Sequence, residues 1–331
     1  MTRVLMYEPS NRRLHARIDA AGPGLEPVLV MADGTYSLAG HALEADEVNA
    51  DAAWANHEVF QSAAGRAFMI AALKSPDLKW VQSAAAGFDH PVFGQLVQKG
   101  AKLSTSHGQA LGMAETVLWG VIDHFQRGPE RRAAQGEHAW RRLAFREILD
   151  SRWAIIGFGA IGQAVAQRAR GFGAHVTGVR RDQSGHPLAE RIAALGDLPA
   201  LLPETDVVVL CCPLTPETRH LVNADFLAAM KAGSVIVNVG RGGLVDEPAL
   251  LAALDAGKPE HAVLDVFEVE PLPEDSRFWS HPRVTLTPHA SGITTGQGTR
   301  NETLFVDNLG RFLRGETPAN IADPKDVLGG G

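Results

Sequence analysis

Short runs of apolar residues recur along the whole chain and alternate with longer segments rich in alanine and leucine. Because most of these runs are apolar at successive positions, they predict strands covered on both faces, and the segments between them predict helices. The predicted strands are Val4–Tyr7, Val28–Met31, Leu78–Gln82, Lys102–Thr105, Trp153–Ile156, His175–Val179, Asp206–Cys212, Val235–Asn238, Val263–Val266 and Val284–Thr287. The predicted helices include Met113–Gln126, Ala160–Phe172, Pro248–Ala256 and Gln297–Leu313. This alternation is typical of α/β folds with doubly wound parallel sheets.

Composition and charge narrow the class of protein. The chain has 331 residues, enough for more than one domain, and a net charge of −7, which argues against nucleic acid or an acidic membrane surface as a partner. No apolar stretch reaches the ~18 residues of a membrane span, and the N-terminal residues lack the apolar core of a signal peptide. The two cysteines, Cys211 and Cys212, are adjacent in an apolar run. We therefore expect a cytoplasmic protein with reduced thiols and no metal site.

A glycine motif follows the predicted strand at Trp153–Ile156 and opens the next predicted helix. In the pattern G-x-G-x-x-G, Gly157 permits a tight turn, Gly159 lets a pyrophosphate approach the backbone, and Gly162 lets helix and strand lie close together. The helix N-terminus supplies amides and a positive dipole end to the phosphates. The motif predicts a dinucleotide site formed by Gly157, Phe158, Gly159, Ala160, Ile161 and Gly162.

Two arginines follow the next predicted strand, His175–Val179. An NAD-binding protein usually carries Asp or Glu at this point, for the ribose 2′-hydroxyl, whereas this chain has Arg180 and Arg181. A guanidinium can bind a 2′-phosphate in a bidentate manner, and loss of the acid removes a repulsion. We therefore predict that NADP(H) is preferred over NAD(H). The alternative is a pair of surface arginines, bonded to Asp182.

A cation, a carboxylate and an imidazole follow three further predicted strands. Arg241, Glu270 and His289 each come shortly after a strand of one expected sheet. Because ligands of open α/β sheets bind at the carboxyl ends of the strands, we expect the three side chains to converge beside a nicotinamide. Arginine can hold a carboxylate, and histidine can transfer a proton, so the set is suited to hydride chemistry on a 2-oxo acid.

Together these motifs resemble those of the D-isomer-specific 2-hydroxyacid dehydrogenases, the family of D-lactate, D-glycerate and phosphoglycerate dehydrogenases and glyoxylate/hydroxypyruvate reductases. The resemblance spans nearly the whole chain. The matching segments are Ala86–His90, His107–Glu115, Gly157–Gly162, Cys212–Thr218, Asn238–Glu247, Asp265–Pro273 and Pro288–Gly292. Two departures are the missing acid after the strand His175–Val179, where Arg180 stands, and Gly240 where the family frequently has Ala or Ser.

The resemblance implies an NADPH-dependent reduction of a small 2-oxo acid, of the glyoxylate or hydroxypyruvate type, to the D-2-hydroxy acid. Arg241 would hold the carboxylate and the carbonyl oxygen, and His289 would be the general acid. Glu270 would accept a hydrogen bond from the other ring nitrogen, with Glu268 as the alternative partner. The further residues expected at the cofactor are Cys212, Pro213, Thr218, Val239, Gly240, Arg241, Asp265, His289 and Gly292.

Substrate residues are expected in the first part of the chain. By resemblance, backbone amides around Ala86 and Gly87 complete the carboxylate clamp. We expect a loop after a short strand to shape the substrate pocket, with Trp54 and Asn56 binding substrate. The motifs imply a flavodoxin-like substrate domain, residues 1–102 and 294–331, into which a Rossmann cofactor domain, residues 103–293, is inserted.

Partners and alternatives complete the expectations. We expect a homodimer formed through the cofactor domain, with the arginine-rich segment 127–147 as a surface arm or subunit contact. The same chemistry could serve a bulkier 2-oxo acid, phosphite or NAD, although phosphite would favour a further cation beside Ala84–Gly87. A formate dehydrogenase fits a negative Glu270 less well. A nicotinamide-responsive transcriptional corepressor would share the fold and the motifs, but usually adds interaction extensions.

Overall fold

The computed structural model describes residues 1–88 and 90–329, so Asp89 of the Ala86–His90 motif lies outside the described residues. The chain forms two compact units. Unit 1 comprises residues 1–108 and 295–331, and unit 2 comprises residues 109–294. The expected boundary at residue 103 would divide a strand, which the structure keeps whole in unit 1.

Fourteen strands are found among the described residues. They are β1 Thr2–Tyr7, β2 Leu25–Val30, β3 Tyr36–Leu38, β4 His41–Leu43, β5 Ala52–Ala55, β6 Trp80–Ser83, β7 Lys102–Ser104, β8 Arg152–Ile156, β9 His175–Val179, β10 Arg191–Ala193, β11 Val207–Leu210, β12 Val235–Asn238, β13 His261–Leu264 and β14 Val284–Leu286. All ten strands predicted from the apolar runs are present, two of them (β9 and β12) with the predicted ends and eight with shifted ends. The prediction Val263–Val266 was displaced towards the C-terminus, since the strand ends before Asp265.

The described part of the chain also contains twelve α-helices. They are α1 Glu8–Ala21, α2 His57–Phe60, α3 Gly65–Lys74, α4 Pro91–Gln98, α5 Ala110–Phe125, α6 Gly128–Gly136, α7 Ala160–Gly171, α8 Leu198–Leu201, α9 Ala224–Ala229, α10 Glu247–Asp255, α11 Gln297–Leu313 and α12 Pro324–Gly329. None of the helices in the described ranges is long and apolar enough to cross a membrane.

The sheet of unit 1 has the order β4-β3-β2-β1-β5-β6-β7. Its five parallel strands follow the order found in flavodoxin-like folds, and β3 and β4 extend one edge as an antiparallel hairpin. Successive residues of β1 enter different cores, with Val4 and Met6 on one face and Leu5 and Tyr7 on the other. Both faces of this strand are therefore buried, as its uninterrupted apolar run predicted.

Residues from the two segments of unit 1 meet in its core. Phe305 of α11 stacks on Trp54 of β5 with ring centroids 4.2 Å apart. In the same helix, the buried side-chain amide of Asn308 donates to Gln82 Oε1 (2.8 Å) and accepts from the Ala319 amide (2.6 Å). The C-terminal segment thus supplies both apolar and polar parts of this core.

The sheet of unit 2 is parallel throughout, in the order β10-β9-β8-β11-β12-β13-β14. The arrangement is that of a Rossmann fold with one additional strand at the β13 edge. Along β11, Val207 and Val209 belong to one core cluster and Val208 and Leu210 to the other. Strand order reverses between β8 and β11, and ligands of such sheets bind at the carboxyl edge beside this switch point.

Candidate active site

The glycine motif forms the turn between β8 and α7. Gly157 has φ +95°, a region that favours glycine, and a Cβ at this position would lie 2.3 Å from the Cys212 amide nitrogen. A Cβ on Gly162 would lie 2.4 Å from the carbonyl oxygen of Gly157, so the helix can approach the turn only without a side chain there. Around Gly159, no atom lies within 4 Å of a Cβ position. The turn therefore leaves open space directly at the start of α7.

This open space suits the pyrophosphate of a dinucleotide. The first amides of a helix have no partner within the helix, and they carry the positive end of the helix dipole. Ala160 and Ile161 belong to this first turn and are half-buried. Phe158 has a buried side chain, 2% exposed, which lies against the backbone of Gly178. Its part in the site is confined to the main chain.

Arg180 follows β9 and folds back onto its own loop. Its Nε donates to the carbonyl oxygen of Asp182 (2.6 Å), and its Nη2 donates to the carbonyl oxygen and hydroxyl of Ser184 (2.7 and 3.0 Å). These bonds fix the plane of the guanidinium at the carboxyl end of β9. The Asp182 carboxylate lies 3.8 Å from Nη2, and Arg181 is exposed.

Arg241 stands on a tight turn directly after β12. The buried side chain of Asn238 shapes this turn, since it donates to the Arg241 carbonyl oxygen (2.9 Å) and accepts from the Gly240 amide (3.0 Å). A short 3₁₀ turn, Gly242–Leu244, follows. Arg241 itself is half-buried, and its Nη1 donates to the carbonyl oxygen of Gly240 (2.7 Å). The sequence motif missed the role of Asn238, although a polar residue at the end of an apolar strand signals one.

His289 and Glu270 form a hydrogen-bonded pair. His289 Nδ1 lies 2.6 Å from Glu270 Oε2, while Glu270 Oε1 accepts the Phe267 amide at 2.9 Å. The alternative partner, Glu268, bonds to His220 instead, at 2.5 Å from its Nε2. His289 has φ +50° and a half-exposed side chain, so its ring is held by neighbours rather than by burial. Geometry therefore assigns the imidazole to Glu270.

Arg241, Glu270 and His289 follow β12, β13 and β14, which are consecutive neighbours in the sheet. Their segments therefore leave the sheet at the same edge, as do the glycine turn after β8 and Arg180 after β9. A fixed cation, an imidazole paired with a carboxylate, and a dinucleotide turn on one sheet edge are together suited to hydride transfer between a nicotinamide and a carboxylate-bearing substrate.

Asp265 was expected at the cofactor. It is 2% exposed, and its carboxylate is occupied by the segment that carries His289. Oδ1 accepts from the Thr287 hydroxyl (2.6 Å) and the Ala290 amide (2.8 Å), and both oxygens accept from the Ser291 amide (3.1 and 3.2 Å). These bonds make it an anchor for the histidine loop. Thr287 and Ser291 flanked the histidine motif in the sequence without an expected role.

The remaining residues expected at the cofactor line the same turns. The hydroxyl of Thr218 closes a loop by bonding to the Pro213 carbonyl oxygen (2.8 Å) and accepting the Thr215 amide (2.7 Å). Cys212 is buried beside Gly157, and burial raises the pKa of its thiol to about 11. Val239 and Gly240 are buried, and Gly292 is half-buried. These residues shape the turns. Because the Val239 side chain is buried, only its main-chain atoms can contact a ligand.

Ala86 and Gly87 lie in the half-buried loop after β6 in unit 1. The start of this loop is fixed by three hydrogen bonds. Ala84 donates to the Ala55 carbonyl oxygen (3.0 Å), Ala85 donates to Ser83 Oγ (3.1 Å), and the Ala85 carbonyl oxygen accepts the Ser106 amide (2.8 Å). The loop follows the carboxyl end of a central strand, a suitable position for an anion-binding turn.

Trp54 and Asn56 differ from the expectation of substrate contact. Trp54 does not follow the strand but lies within β5, is 1% exposed and stacks on Phe305, so it belongs to the core. Asn56 is also buried and caps α2, because Oδ1 accepts the Val59 amide (2.9 Å) and Nδ2 donates to Ser10 Oγ (2.7 Å). The alanine-rich strand β5 gave too weak a pattern to place these side chains correctly.

Comparison with known proteins decides the family. The family model described as "D-isomer specific 2-hydroxyacid dehydrogenase, NAD binding domain" matches residues 118–291. This protein belongs to the D-isomer-specific 2-hydroxyacid dehydrogenases. It is an oxidoreductase that uses a nicotinamide cofactor, and the matched range lies within unit 2, which contains the glycine turn.

Relatives and solved structures agree with this assignment. The dehydrogenase is 33% identical to a glyoxylate/hydroxypyruvate reductase A of Serratia proteamaculans over 216 residues, 65% of this chain and 68% of the relative. It is also 33% identical to a glyoxylate reductase of Thermococcus kodakarensis over 266 residues, 77% and 79% of the two chains.

Two crystal structures resemble the dehydrogenase over almost its full length. One is a D-isomer specific 2-hydroxyacid dehydrogenase from Xanthobacter autotrophicus Py2 in complex with NADPH and MES, with TM-score 0.75, 31% identity and 98% and 99% of the chains covered. The other is an NADPH-dependent glyoxylate/hydroxypyruvate reductase from Sinorhizobium meliloti in complex with NADP and sulfate, with TM-score 0.77, 29% identity and 100% of both chains covered.

Proposed function

We propose that this dehydrogenase reduces a small 2-oxo acid, of the glyoxylate or hydroxypyruvate type, to the D-2-hydroxy acid with NADPH. The observation that carries the proposal is the His289–Glu270 pair on the sheet edge that also bears Arg241. The reductases named above, which share about a third of their residues with this chain over the matched regions, support the substrate class.

Each side chain of the set has a separate task in this reaction. Arg241 binds the substrate carboxylate and polarises the carbonyl oxygen. His289 is bonded to Glu270 through Nδ1, so Nε2 is the nitrogen that delivers a proton to the carbonyl oxygen. Glu270 orients the ring, and its negative charge compensates the positive charge of the imidazolium. Backbone amides at Ala86 and Gly87 are proposed as further ligands of the substrate carboxylate.

The glycine turn fits a dinucleotide, because the space at Gly159 is open and α7 begins directly beside it. When bound, a reduced nicotinamide supplies the hydride that adds to C2 of the 2-oxo acid. Gly157 and Gly162 give the turn its shape, and the amides at Ala160 and Ile161 bind the pyrophosphate. We assign this role to unit 2 and substrate binding to unit 1, as the proposed cofactor and substrate domains.

Arg180 supports a preference for NADP(H). Its guanidinium is already oriented by the carbonyl oxygens of Asp182 and Ser184, so little side-chain entropy is lost when it binds a 2′-phosphate. No carboxylate precedes it at the end of β9, where NAD-binding proteins carry one. The two relatives whose crystal structures contain NADPH or NADP, about 30% identical to this chain, further support this preference.

The arm of residues 137–147 supports a homodimer. It follows α6 without regular secondary structure and exposes Trp140 almost completely, at 93%. Because Trp140 lines one surface hollow with Leu143 and Phe145, it belongs to an exposed apolar patch, and we propose that a second copy covers it. Sedimentation equilibrium should show a dimer that Trp140→Glu dissociates. Trp279→Glu, at a half-exposed tryptophan outside this arm, should leave the dimer intact, and a monomeric wild type would contradict the proposal.

Small, acidic and with buried reduced thiols, the protein is suited to the cytoplasm, where we propose that it acts without nucleic acid or membrane partners. Fractionation of cells that produce the protein would test this placement, and recovery with membranes or secreted proteins would contradict it.

Steady-state kinetics test the catalytic proposal. Glyoxylate, hydroxypyruvate, pyruvate and phenylpyruvate should each be assayed with NADPH and NADH, and the highest kcat/KM is expected for one of the two small acids with NADPH. Similar kcat/KM values for both cofactors would contradict the role of Arg180. Preferred turnover of phenylpyruvate would favour a bulkier substrate, and no turnover of any acid would contradict the enzyme assignment to this substrate class.

A matched pair of histidine variants tests the proton donor. His289→Ala should lower kcat by about 10²–10⁴-fold and preserve NADPH binding. The control is His175→Gln, because His175 also pairs with a glutamate, with Nδ1 2.8 Å from Glu190 Oε1, but begins β9 at the opposite sheet edge. Its kcat should stay at the wild-type value. Full activity of His289→Ala would remove His289 as the acid.

A further inference from the structure

Glu247 is the first residue of α10, and its side chain does not remain on its own helix. Asp246 caps the helix by accepting the Ala249 amide (3.0 Å), so the cap needs no further acid. Glu247 Oε1 instead accepts the backbone amide of Glu268, at 2.8 Å. The side chain thereby ties the start of α10 to the segment that follows β13.

The peptide between Phe267 and Glu268 connects three parts of the site. Its neighbour, the Phe267 amide, donates to Glu270 Oε1 (2.9 Å), and Glu270 Oε2 binds His289. On its other side, the peptide lies so close to the arginine turn that a Cβ on Gly242 would be 1.9 Å from the Phe267 carbonyl carbon. A small displacement of this peptide would therefore move Glu270.

The position is electrostatically unfavourable for a carboxylate. Burial raises the pKa of Glu247, and the nearby carboxylates of Glu268 and Glu270 raise it further, while the bond from the Glu268 amide opposes them. An acid at the first turn of a helix is ordinarily favourable, but an acid that only served the helix dipole would gain nothing from lying beside two others. What Glu247 gains from this position is the hydrogen bond from the Glu268 amide.

We propose that Glu247 is a positioning residue, which holds the Phe267–Glu268 peptide and through it the orientation of Glu270 against His289. The proposal rests on the proposed function for its kinetic test only. Glu247 touches neither substrate nor cofactor in this scheme, so its loss should affect the proton-transfer step rather than binding.

Three substitutions separate positioning from helix stabilisation. Glu247→Ala removes the acceptor and the charge, Glu247→Asp keeps the charge at the helix start but shortens the reach, and Glu247→Gln keeps an acceptor oxygen of the same reach. We expect kcat to fall about tenfold in the alanine and aspartate variants, with KM for the 2-oxo acid and for NADPH little changed. Glu247→Gln should retain most of the wild-type kcat.

The opposite pattern would overturn the proposal. Wild-type kcat in Glu247→Asp would leave a helix charge as the only role, and a glutamine variant as impaired as the alanine variant would exclude the hydrogen bond as the cause. Asp225→Asn is the matched control, because it removes an acid from the first turn of another helix, α9, and its kcat should be unchanged.

A spectroscopic measurement makes the test independent of turnover. The proton between His289 Nδ1 and Glu270 should give a downfield ¹H NMR signal, assigned by its loss in Glu270→Gln. We expect the signal to shift or broaden in Glu247→Asp and to persist in Glu247→Gln. An unchanged signal in Glu247→Asp would overturn the positioning role, whereas a wild type without reductase activity would contradict only the proposed function.

Discussion

The main-chain amide of His289 donates a hydrogen bond to the carbonyl oxygen of Asp265 across 2.7 Å. The carboxylate of the same aspartate accepts from Thr287, Ala290 and Ser291, on both sides of the histidine. Together these bonds hold His289 at φ +50°, a conformation that residues other than glycine adopt rarely. The orientation of the imidazole therefore depends on the buried carboxylate of Asp265, which follows β13, whereas His289 follows β14.

Replacement of Asp265 should thus impair catalysis. In Asp265→Asn the side-chain NH₂ would face the donors of Ser291, and the loop that carries His289 would shift. Because a displacement of about 1 Å can cost about 10²-fold in rate, we expect kcat to fall by that order. Steady-state kinetics measure this loss. Ser291→Ala removes one donor and keeps the carboxylate, so it should lose far less, and equal losses in both variants would contradict the anchoring role.

The loop after β9 predicts a change in cofactor affinity. Asp182 Oδ2 lies 3.8 Å from Arg180 Nη2, and hydrogen bonds from Ser184, together with the charge of Arg180, hold the pKa of Asp182 below its usual value. A 2′-phosphate bound to Arg180 would be repelled by this carboxylate. Asp182→Asn should lower KM for NADPH by about twofold to fivefold and leave KM for NADH unchanged.

The control for this prediction is Asp197→Asn, which alters another exposed ion pair of the same length, 3.8 Å from Arg191. Neither cofactor's KM should change in that variant. A parallel fall of both KM values in Asp182→Asn would show that the carboxylate acts on the whole dinucleotide rather than on the 2′-phosphate.

A pair of stacked histidines predicts sensitivity to acid. His261 at the start of β13 stacks on His124 with ring centroids 4.4 Å apart, and its Nε2 lies 2.9 Å from Thr285 Oγ1. Burial, reinforced by His124, lowers the pKa of His261 from 6.5 to about 3. Between these values the unfolded chain binds a proton that the folded protein excludes. The free energy of unfolding therefore falls as the pH drops below about 6.5 and is unaffected above it.

Urea unfolding at about pH 7.5 and about pH 5 measures this effect, which should amount to about 2 kcal/mol for His261 at the lower pH. His261→Gln should lose less free energy of unfolding on acidification than the wild type. His15→Gln, at an exposed histidine of α1, should lose as much free energy of unfolding on acidification as the wild type does. An equal pH dependence of wild type and His261→Gln would contradict the assignment.

The polar core of unit 1 predicts a stability loss. Asn308 is fully buried, and its replacement by leucine would leave Gln82 Oε1 and the Ala319 amide without this partner. Since a buried polar group without a bond costs about 1–3 kcal/mol, Asn308→Leu should lower the free energy of unfolding by about 3 kcal/mol. Urea unfolding checks this value. Asp307→Ala, at the exposed neighbouring position, should change it little.

Local patterns in the sequence were sufficient for the sheets. Strands such as β11 are apolar on both faces, and the ten apolar runs correspond to ten strands. Four strands are absent from those runs. The alanine-rich β5 is one, and the others, β3, β4 and β10, have three residues each and form or adjoin a sheet edge, where little burial is required. The glycine turn was also predictable, because its spacing, placed between a predicted strand and a predicted helix, implies the close approaches at Gly157 and Gly162.

Side-chain partners could not be obtained in the same way. Glu268 and Glu270 are two residues apart, and only the course of the chain after β13 shows which of them meets His289. The anchoring bonds of Asp265 join segments that are distant in sequence, so no local pattern contains them. Trp54 was misplaced because a strand of alanines carries no strong signal, and its neighbour Phe305 comes from the other end of the chain.

The stack of Trp54 on Phe305 also bears on the order in which the protein acquires its structure during synthesis. All of unit 2, residues 109–294, leaves the ribosome before α11 does. Unit 2 can therefore become compact from a continuous segment, whereas one face of the unit 1 sheet is only partly covered, by Leu14 and Ile18 of α1, until Phe305 emerges. We expect the N-terminal segment to be the part of the nascent chain that needs chaperone protection longest.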